Sequence, residues 1–310
     1  MQISVVVPCY NEESVLRETA ARLTALYSML LAQGRISAAS AIYFIDDGSK
    51  DRTWQLIEEL AHQQPSIRGI KLSRNRGHQI ALLAGLLSAP GDAVISVDAD
   101  MQDDVGAIAE MVAAHAAGAH IVYGVRRRRD TDSFLKRFTA ERYYALLTLF
   151  GVEIVFNHAD FRLLSRRAIE ALSEYREVNV FLRGLIPQLG FSTSIVYYDR
   201  AERFAGVSKY PVGKILSLAW NGITSFSAVP LRLITNLGFL ISLGSVGVAL
   251  WALGVKLFTN AAVPGWASTV IPIYFLGGIQ LFSIGIIGEY VAKIYLESKR
   301  RPRYFIDKTV

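Results

Sequence analysis

Carboxylate side chains cluster directly after an apolar run in the first third of the sequence. Asp98 and Asp100 follow the run Ala93–Val97, and Gln102 and Asp103 come close behind. Magnesium and manganese ions prefer oxygen ligands, and they commonly bind through one or two carboxylates together with phosphate oxygens of a substrate. An isolated Asp-x-Asp is more often a solvated turn or a helix cap. Its position after an apolar run leads us to predict that this pair binds Mg²⁺ or Mn²⁺.

A second carboxylate pair, Asp46 and Asp47, follows the apolar run Ala41–Ile45. Ser49 or Asp51 can cap a following helix, because their side-chain oxygens accept hydrogen bonds from the free amides of its first turn. Asp46 and Asp47 are then candidates for contacting a base or a ribose.

The segment directly after the first apolar run supplies further candidates for contacting the nucleotide. Its candidates are Pro8, Tyr10, Asn11 and Glu12. The aromatic ring of Tyr10 offers a face on which a nucleobase can stack.

Basic residues in two segments offer partners for phosphate, because arginine grips phosphate oxygens through two parallel N–H bonds. The candidates are Arg126, Arg129, Ser133, Lys136 and Arg137 in the first segment, and Arg200, Arg203, Ser208, Lys209 and Tyr210 in the second. Arg127 and Arg128 are more typical of a solvated or lipid-facing rim. The run of four arginines leaves open which of them binds phosphate. The sequence has no helix-turn-helix, zinc-finger or RNA-binding aromatic signature, so no nucleic-acid partner is expected.

The elements that position these residues alternate between short apolar runs and amphipathic stretches. Such alternation predicts an α/β domain with a mostly parallel sheet and helices on both faces. Ligands bind such sheets beyond the carboxyl ends of the strands, where the polar motifs fall. The predicted strand and helix pairs are Ile3–Val7 with Glu13–Leu31, Ala41–Ile45 with Thr53–His62, Ile67–Leu72 with His78–Ser88, and Ala93–Val97 with Val105–Ala117. A fifth strand, Ile121–Val125, and an aromatic helix around Tyr143–Phe150 are also predicted.

The chain has 310 residues, 52% of them hydrophobic, and the apolar excess lies after Leu231. Leu233–Val255 and Ala267–Gly288 carry no charge, and about 20 such residues cross a bilayer. We predict a catalytic domain over 1–211, an interfacial amphipathic helix over 212–230, and a membrane domain over 231–310. Its two transmembrane helices are predicted at about 233–257 and 267–291, followed by a basic tail. Two buried core helices are the alternative.

Flanking charges predict the orientation of these spans. Arg232 precedes the first span and Lys293 with Lys299–Arg303 follows the second, so the positive-inside rule places both termini and the catalytic domain in the cytoplasm. The N-terminus has no basic n-region, and the single Cys9 excludes an intramolecular disulfide. A multi-pass protein of the plasma (inner) membrane is expected. Glycines in the spans can pack helices within one chain or between chains, which leaves a homo-oligomer open.

Four motifs, taken in order, resemble the family 2 glycosyltransferases of the GT-A (Rossmann-like) fold. They are Val6-Val7-Pro8-Cys9-Tyr10-Asn11-Glu12-Glu13, Asp46-Asp47-Gly48-Ser49-Lys50-Asp51, Leu72-Ser73-Arg74-Asn75-Arg76-Gly77-His78-Gln79 and Asp98-Ala99-Asp100-Met101-Gln102-Asp103. Within the family the chain resembles the polyprenyl-phosphate branch, which includes bactoprenol (undecaprenyl-phosphate) glucosyltransferases and dolichol-phosphate mannose synthases. The resemblance implies an inverting, divalent-metal-dependent enzyme with Asp98 and Asp100 at the metal and the nucleotide diphosphate.

The resemblance also implies roles for later residues. Asp160-Phe161-Arg162-Leu163 resembles the family segment with an acidic residue near the reacting centre, so Asp160 and Asp100 are the expected catalytic residues. The alternative is a buried aspartate paired with Arg162 or Arg166. A lipid phosphate has a second pKa of about 6 and scarcely needs deprotonation, which leaves Asp160 open as a base or as an orienting charge. The stretch Arg203–Tyr210 resembles a family loop that closes over the nucleotide sugar.

Two sets of binding residues are therefore expected. The nucleotide-sugar set is Pro8, Tyr10, Asn11, Glu12, Asp46, Asp47, Asp98, Ala99, Asp100, Gln102, Arg126, Arg203 and Lys209. The acceptor-phosphate set is Arg129, Ser133, Arg137 and Arg200.

The resulting hypothesis is transfer of a sugar from a nucleotide diphosphate to undecaprenyl or a related polyprenyl phosphate, for modification of cell-envelope glycans such as O-antigen. Glucose from UDP is the first choice by resemblance, while mannose, N-acetylglucosamine, galactose and an aminoarabinose derivative stay open. Two alternatives compete with it. One is a non-catalytic membrane scaffold that binds a nucleotide sugar. The other is a processive polysaccharide synthase, which normally needs more membrane helices and a glutamine-rich product-binding motif.

Overall fold

The computed structural model describes residues 1–100, 102–127, 158–199, 224, 227–258 and 265–310. The chain divides into two compact units. The first holds the described residues up to Asp199 together with Arg300–Val310. The second holds the described residues from Thr224 to Lys299. The predicted helix around 143–150 lies outside the described residues, and so does nearly all of the predicted interfacial helix.

An eight-stranded sheet forms the centre of the first unit, in the order β7-β5-β6-β4-β1-β2-β3-β8. Strands β6 and β8 run antiparallel to their neighbours and the other pairs are parallel, which confirms the predicted mostly parallel sheet. The strands are β1 Ile3–Cys9, β2 Ala41–Asp46, β3 Ile67–Leu72, β4 Ala93–Ser96, β5 Ile121–Arg126, β6 His158–Ser165, β7 Thr193–Tyr198 and β8 Ile306–Thr309.

Helices cover both faces of this sheet, as predicted. Val5 and Val7 of β1 belong to one buried cluster with residues of α1, α2 and α4. Val6 points to the other face, where a Cβ on Gly85 of α3 would lie only 2.2 Å from its Cγ1. The helices of the first unit are α1 Leu16–Ala32, α2 Thr53–Gln63, α3 His78–Ser88, α4 Ala107–Ala116, α5 Arg166–Ser173 and α6 Leu182–Gln188.

Strand β1 is longer than predicted, because it continues through Pro8 to Cys9. Strand β4 pairs with β1 only as far as Val6, so the last residues of β1 pair with β2 alone. A proline, which lacks an amide hydrogen, is tolerated where a strand has a neighbour on one side only.

Strand β6 carries Asp160 to the functional edge of the sheet. Its antiparallel register places Arg162 opposite Ser96, the last residue of β4. Since β6 runs against β4, its first residues lie at the carboxyl ends of the parallel strands. Asp160 therefore lies beside the loop that contains Asp98 and Asp100.

The basic tail differs from the prediction, which joined residues after 231 to the membrane domain. Residues Ile306–Thr309 form β8, an edge strand antiparallel to β3. Val310 and Gly69 exchange two backbone hydrogen bonds of 2.8 and 2.9 Å, and the amide of Ser73 donates to the carbonyl of Phe305. Backbone pairing of this kind, rather than an apolar pattern, fixes the strand, because all four of its side chains are exposed.

The second unit contains two long helices, α7 Val229–Phe258 and α8 Gly265–Ser298. Both are long and apolar enough to cross a membrane. In their most apolar stretches, only 6% of Val229–Gly247 in α7 and none of Phe275–Ser298 in α8 is buried. A core helix of a soluble domain, by contrast, is mostly buried. The predicted spans 233–257 and 267–291 fall inside these two helices.

Candidate active site

Three titratable side chains meet at the carboxyl edge of the sheet. His78, the first residue of α3, has its Nε2 atom 3.5 Å from Asp98 Oδ1 and 3.4 Å from Asp160 Oδ2. Burial alone would lower the pKa of His78, but its hydrogen bond to the Asp160 carboxylate and the negative charges of Asp98 and Asp160 raise it above its ordinary value. The imidazole therefore links the carboxylate loop after β4 to the first residues of β6.

Asp160 is buried and has several cationic or polar partners. Arg183 donates from Nε to Oδ1 at 3.2 Å and from its terminal nitrogen to Oδ2 at 3.1 Å. Arg162 also donates to Oδ1, and the Gln79 amide donates to Oδ2 at 3.1 Å. Burial would raise the pKa of the Asp160 carboxyl, but the two guanidinium groups hold it well below its usual range. The predicted alternative, pairing with Arg162, is thus part of the geometry, whereas Arg166 instead donates to backbone carbonyls.

The Asp98 carboxyl lies in a strongly anionic environment. Burial raises its pKa to about 6, and although His78 opposes this, the charges of Asp160, Asp103 and Asp100 add to it. A divalent cation bound to Asp98 and Asp100 would relieve that repulsion, and carboxylate oxygens suit Mg²⁺ or Mn²⁺. The residues present therefore fit the predicted metal. Among the described residues no group of three or more His, Cys, Asp or Glu side chains forms a metal cluster. Mg²⁺ commonly binds through only one or two carboxylates, together with phosphate oxygens of a substrate.

The loops after β1 and β2 are hydrogen-bonded to each other. The Asn11 amide donates to Ser49 Oγ at 2.9 Å, and the Lys50 amide donates to Asn11 Oδ1 at 2.8 Å. Asn11 has a left-handed backbone, with φ of 56°, which asparagine tolerates better than most residues. The Glu12 amide donates to Thr53 Oγ1 at the start of α2. These bonds fix the loop in which Tyr10 is 40% exposed, so its ring is open to a ligand.

The Asp46 and Asp47 carboxylates lie beneath these loops. Asp47 accepts hydrogen bonds from the backbone amides of Arg76 and Gly77 at 2.7 and 2.8 Å. Asp46 Oδ1 accepts from the Ser49 amide at 3.1 Å, while its buried Oδ2 has no hydrogen-bond partner among the described residues. Burial raises the pKa of both carboxyls. Asp47 thus holds the loop after β3, and Asp46 lies buried beneath the loop after β2.

Arg126 at the end of β5 is held by two buried side chains, Asp103 and Tyr198. Its guanidinium donates to Asp103 Oδ1 at 3.1 Å and to the Tyr198 hydroxyl at 3.2 Å, and that hydroxyl donates to Asp103 at 2.5 Å. Burial would lower the pKa of Arg126, but the Asp103 carboxylate raises it, so the guanidinium stays charged.

Two further predicted residues serve the carboxylate loop through their backbone. The Ala99 carbonyl accepts from Thr19 Oγ1 of α1 at 2.9 Å, and the Gln102 amide donates to Asp100 Oδ1 at 3.3 Å. Nine predicted contacts lie outside the described residues. These are Arg129, Ser133, Lys136, Arg137, Arg200, Arg203, Ser208, Lys209 and Tyr210.

Sequence reasoning gave no role to several residues that the structure brings to this edge. They are His78, Gln79, Asp103, Arg183 and Tyr198. His78 and Gln79 belong to one of the quoted motifs, and their position at the start of α3 after a parallel strand is a usable signal. Arg183 and Tyr198 offer no local signal, because their partners are 23 and 95 residues away.

Residues 4–173 match the model of the glycosyl transferase family 2. This is more than half of the chain, and it covers every strand of the sheet except β7 and β8. The α/β fold expected from the four motifs agrees with that match.

Relatives of this family match nearly the whole chain. An uncharacterized glycosyltransferase, YkoT, from Bacillus subtilis is 50% identical over 98% of this chain and 91% of its own length. The bactoprenol glucosyl transferase of Shigella phage SfV is 40% identical over 99% of this chain and 98% of its own. A prophage bactoprenol glucosyl transferase homolog from Escherichia coli is 39% identical over 99% of each.

Proposed function

Because this chain belongs to glycosyl transferase family 2, we propose that it transfers a sugar from a nucleotide diphosphate to a polyprenyl phosphate. The chain is a glycosyltransferase. This disfavours the alternative of a non-catalytic membrane scaffold. Full-length similarity to bactoprenol glucosyl transferases supports a lipid phosphate as the acceptor. The finer proposal is glucose from UDP-glucose, with undecaprenyl phosphate as the acceptor.

The observation that carries the proposal is that anionic and cationic side chains lie next to each other at one edge of the sheet. Asp98 and Asp100 form an anionic loop suited to a cation, and His78 and Arg183 surround the neighbouring Asp160. A reaction between two phosphate-bearing substrates needs this combination, since the leaving diphosphate and the attacking phosphate both carry negative charge.

The donor would bind across the loops after β1, β2 and β4. Tyr10 supplies an exposed ring for the base. Asp47 acts through the loop after β3 that it holds.

Asp98 and Asp100 would hold Mg²⁺ or Mn²⁺, whose chemical contribution is to neutralise charge on the departing nucleoside diphosphate. An oxygen of the lipid phosphate forms a bond to the anomeric carbon as the bond from that carbon to the diphosphate oxygen breaks. The diphosphate leaves with the electron pair. Attack from the opposite face inverts the anomeric configuration. The acceptor needs no strong base, because a phosphate monoester is largely dianionic at neutral pH.

A membrane-bound enzyme follows from the chemistry of the acceptor. Helices α7 and α8 have the length and the exposed apolar surface to anchor the chain in a bilayer. We place the catalytic unit and both termini in the cytoplasm, on the basic residues that flank the helices. A processive synthase is less well supported, since these are the two candidate spans in the described part of the chain.

Detergent-purified protein, incubated with undecaprenyl phosphate, Mg²⁺ and single radiolabelled UDP- or GDP-sugars, tests the proposal by lipid extraction. We expect label from UDP-glucose in the lipid fraction and its loss with EDTA. Asp100→Asn should reduce transfer by at least about 100-fold, because one metal ligand loses its charge. Asp104→Asn is the matched control, because Asp104 is exposed and caps the Gly106 amide.

The result separates the alternatives. Transfer of another sugar would replace glucose but keep the reaction. The proposed function would be contradicted if no donor labelled the lipid, or if Asp100→Asn were as active as wild type. Either result would favour the non-catalytic scaffold instead.

A further inference from the structure

Two arginines share one buried carboxylate in the first unit, but only one of them reaches solvent. The side chain of Asp160 is 6% exposed, and that of Arg162 is fully buried. Arg183 donates two parallel hydrogen bonds to the same carboxylate, while 34% of its side chain remains exposed. A ligand at this edge can therefore reach Arg183 and not Arg162.

Two of the side chains that contact Asp160 are cationic. Its carboxylate faces the guanidinium groups of Arg162 and Arg183, and His78 is 3.4 Å from it on the side toward Asp98. Arg162 cannot contact a ligand, because it is fully buried. The exposed edge of Arg183 can take a second charged partner, and an anion that bound there would gain a charge-assisted hydrogen bond.

Gln79 fixes the backbone from which Arg183 extends. Its amide nitrogen donates to Asp160 Oδ2 at 3.1 Å, and its amide oxygen accepts from the Leu182 amide at 3.2 Å. The same side chain thus ties the first residue of α6 to the carboxylate that holds Arg183. The guanidinium is held at both its backbone and its charged end before a ligand arrives, which reduces the entropy lost on binding.

We infer that Arg183 binds a phosphate oxygen at the reaction centre and that Asp160 is the residue that positions it. This inference rests on the proposed function. The phosphate comes either from the donor diphosphate or from the acceptor lipid, and both would present the same oxygens to a planar guanidinium. Asp160 then acts as a fixed counter-charge that aims Arg183, and the reaction does not require it to accept a proton.

Steady-state kinetics of Arg183→Lys and Arg183→Ala distinguish the two phosphate sources. Hydrogen bonds to charged groups are stronger than neutral ones, so we expect kcat/KM to fall about 10- to 100-fold in Arg183→Ala and less in Arg183→Lys. A rise in KM for the nucleotide sugar assigns Arg183 to the donor diphosphate, and a rise in KM for the lipid phosphate assigns it to the acceptor. Arg176→Ala, which removes an exposed arginine in the loop after α5, should leave both values unchanged.

Asp160→Asn tests the positioning role separately. If Asp160 acts through Arg183, the variant should raise the same KM as Arg183→Lys, and the double variant should be little worse than either single one. If Asp160 is instead a general base, kcat should fall by about 100-fold or more with KM unchanged, and the acidic limb of the pH–rate profile should disappear.

Direct binding keeps the test independent of turnover. Titrations with UDP plus Mg²⁺, and with citronellyl phosphate as a short soluble polyprenyl phosphate, should show one affinity weakened about 10-fold or more in Arg183→Ala. A thermal melt of each variant controls for unfolding. If the wild-type protein transferred no sugar but Arg183→Ala still lost affinity for one probe, the proposed function alone would be refuted and the inference about Arg183 would stand. Unchanged kinetics and unchanged binding of both probes in a folded Arg183→Ala would overturn the inference.

Discussion

Gly48 shows how closely the loops after β2 and β3 are packed. Its φ is +69°, and a Cβ there would lie 2.7 Å from the backbone nitrogen of Asn75 and 2.8 Å from the carbonyl carbon of Arg74. These atoms belong to the backbone, so no side-chain rotation can relieve the contact. The same loop provides the two amides that bind Asp47.

We therefore expect Gly48→Ala to displace the loop after β3 and to raise KM for the nucleotide sugar. The left-handed backbone costs an alanine about 1–2 kcal/mol, and the contact with the loop adds to that. Gly34→Ala is the control, because Gly34 has φ of +68° but nothing within 4 Å of its Cβ position. Equal KM values and equal thermal midpoints for the two variants would show that the contact with the loop is unimportant.

The ion pairs of Asp160 predict a dependence of stability on pH. The pKa of this carboxyl is lower in the folded chain than its ordinary value of 3.8. The ionised form therefore stabilises the fold fully above that value, and this contribution is lost as the pH falls through the folded pKa. Asp160→Asn lacks the contribution at every pH.

The difference in free energy of unfolding between wild type and Asp160→Asn should shrink as the pH falls below about pH 4. Urea unfolding in detergent, followed by tryptophan fluorescence, measures that difference. The buried Asp46→Asn reverses the expected sign, because burial raises its pKa and disfavours the ionised form. A difference for Asp160→Asn that did not change with acidity would mean that the two arginines do not stabilise the ionised carboxylate.

Among the elements, β8 extends the edge of the sheet beside β3 through backbone hydrogen bonds. Beyond its pairing with β3, the Phe305 carbonyl binds the Ser73 amide, which begins the loop that reaches Asp47 and His78. Val310 also covers the core, because a Cβ on Gly69 would lie 2.8 Å from its Cγ1 and 2.4 Å from Ile57 Cγ2. The tail strand therefore supports the loop that positions site residues.

Val310→Asp should loosen β8, because it places a carboxylate against apolar side chains. We expect a loss of about 1–3 kcal/mol in stability and faster amide exchange over residues 69–77. Thr309→Asp adds the same charge at the neighbouring exposed position and serves as the control. Hydrogen–deuterium exchange with mass spectrometry gives the comparison, and equal exchange in both variants would remove the supporting role of β8.

Local patterns predicted the elements better than they predicted the contacts between them. The four βα units follow from buried apolar runs and helical spacing, and the rule for ligand position brought Asp46, Asp98 and Tyr10 to one edge. Strand β8 could not be foreseen, because its sequence has no apolar face and its partner lies more than 200 residues earlier. The pairing of Arg183 with Asp160 depends on how α6 meets β6, which no residue near either one encodes.

For the whole molecule, the exposed surface of α7 and α8 is the strongest physical argument for a membrane. Large apolar side chains such as Leu243 and Phe282 are 60% and 63% exposed, and soluble proteins rarely expose such continuous apolar surface. In water this surface would drive aggregation, whereas in a bilayer it would contact lipid chains. The acceptor proposed for the catalytic unit is itself a lipid, so an anchor would keep the enzyme and its acceptor at one surface.

Leu243→Arg should weaken this anchor, because an arginine near the middle of a span costs about 2.5–3.5 kcal/mol on insertion scales. Leu31→Arg is the matched control, since Leu31 is 47% exposed at the end of α1 in the first unit. We expect less Leu243→Arg protein in carbonate-washed membranes, whereas Leu31→Arg should match wild type. If Leu243→Arg instead yielded a soluble, monodisperse protein that needed no detergent, α7 would have to be covered by protein rather than by lipid. If Leu243→Arg were retained in membranes as well as wild type, α8 alone would be a sufficient anchor. Its stretch Phe275–Ser298 is as apolar as that of α7 and is wholly unburied.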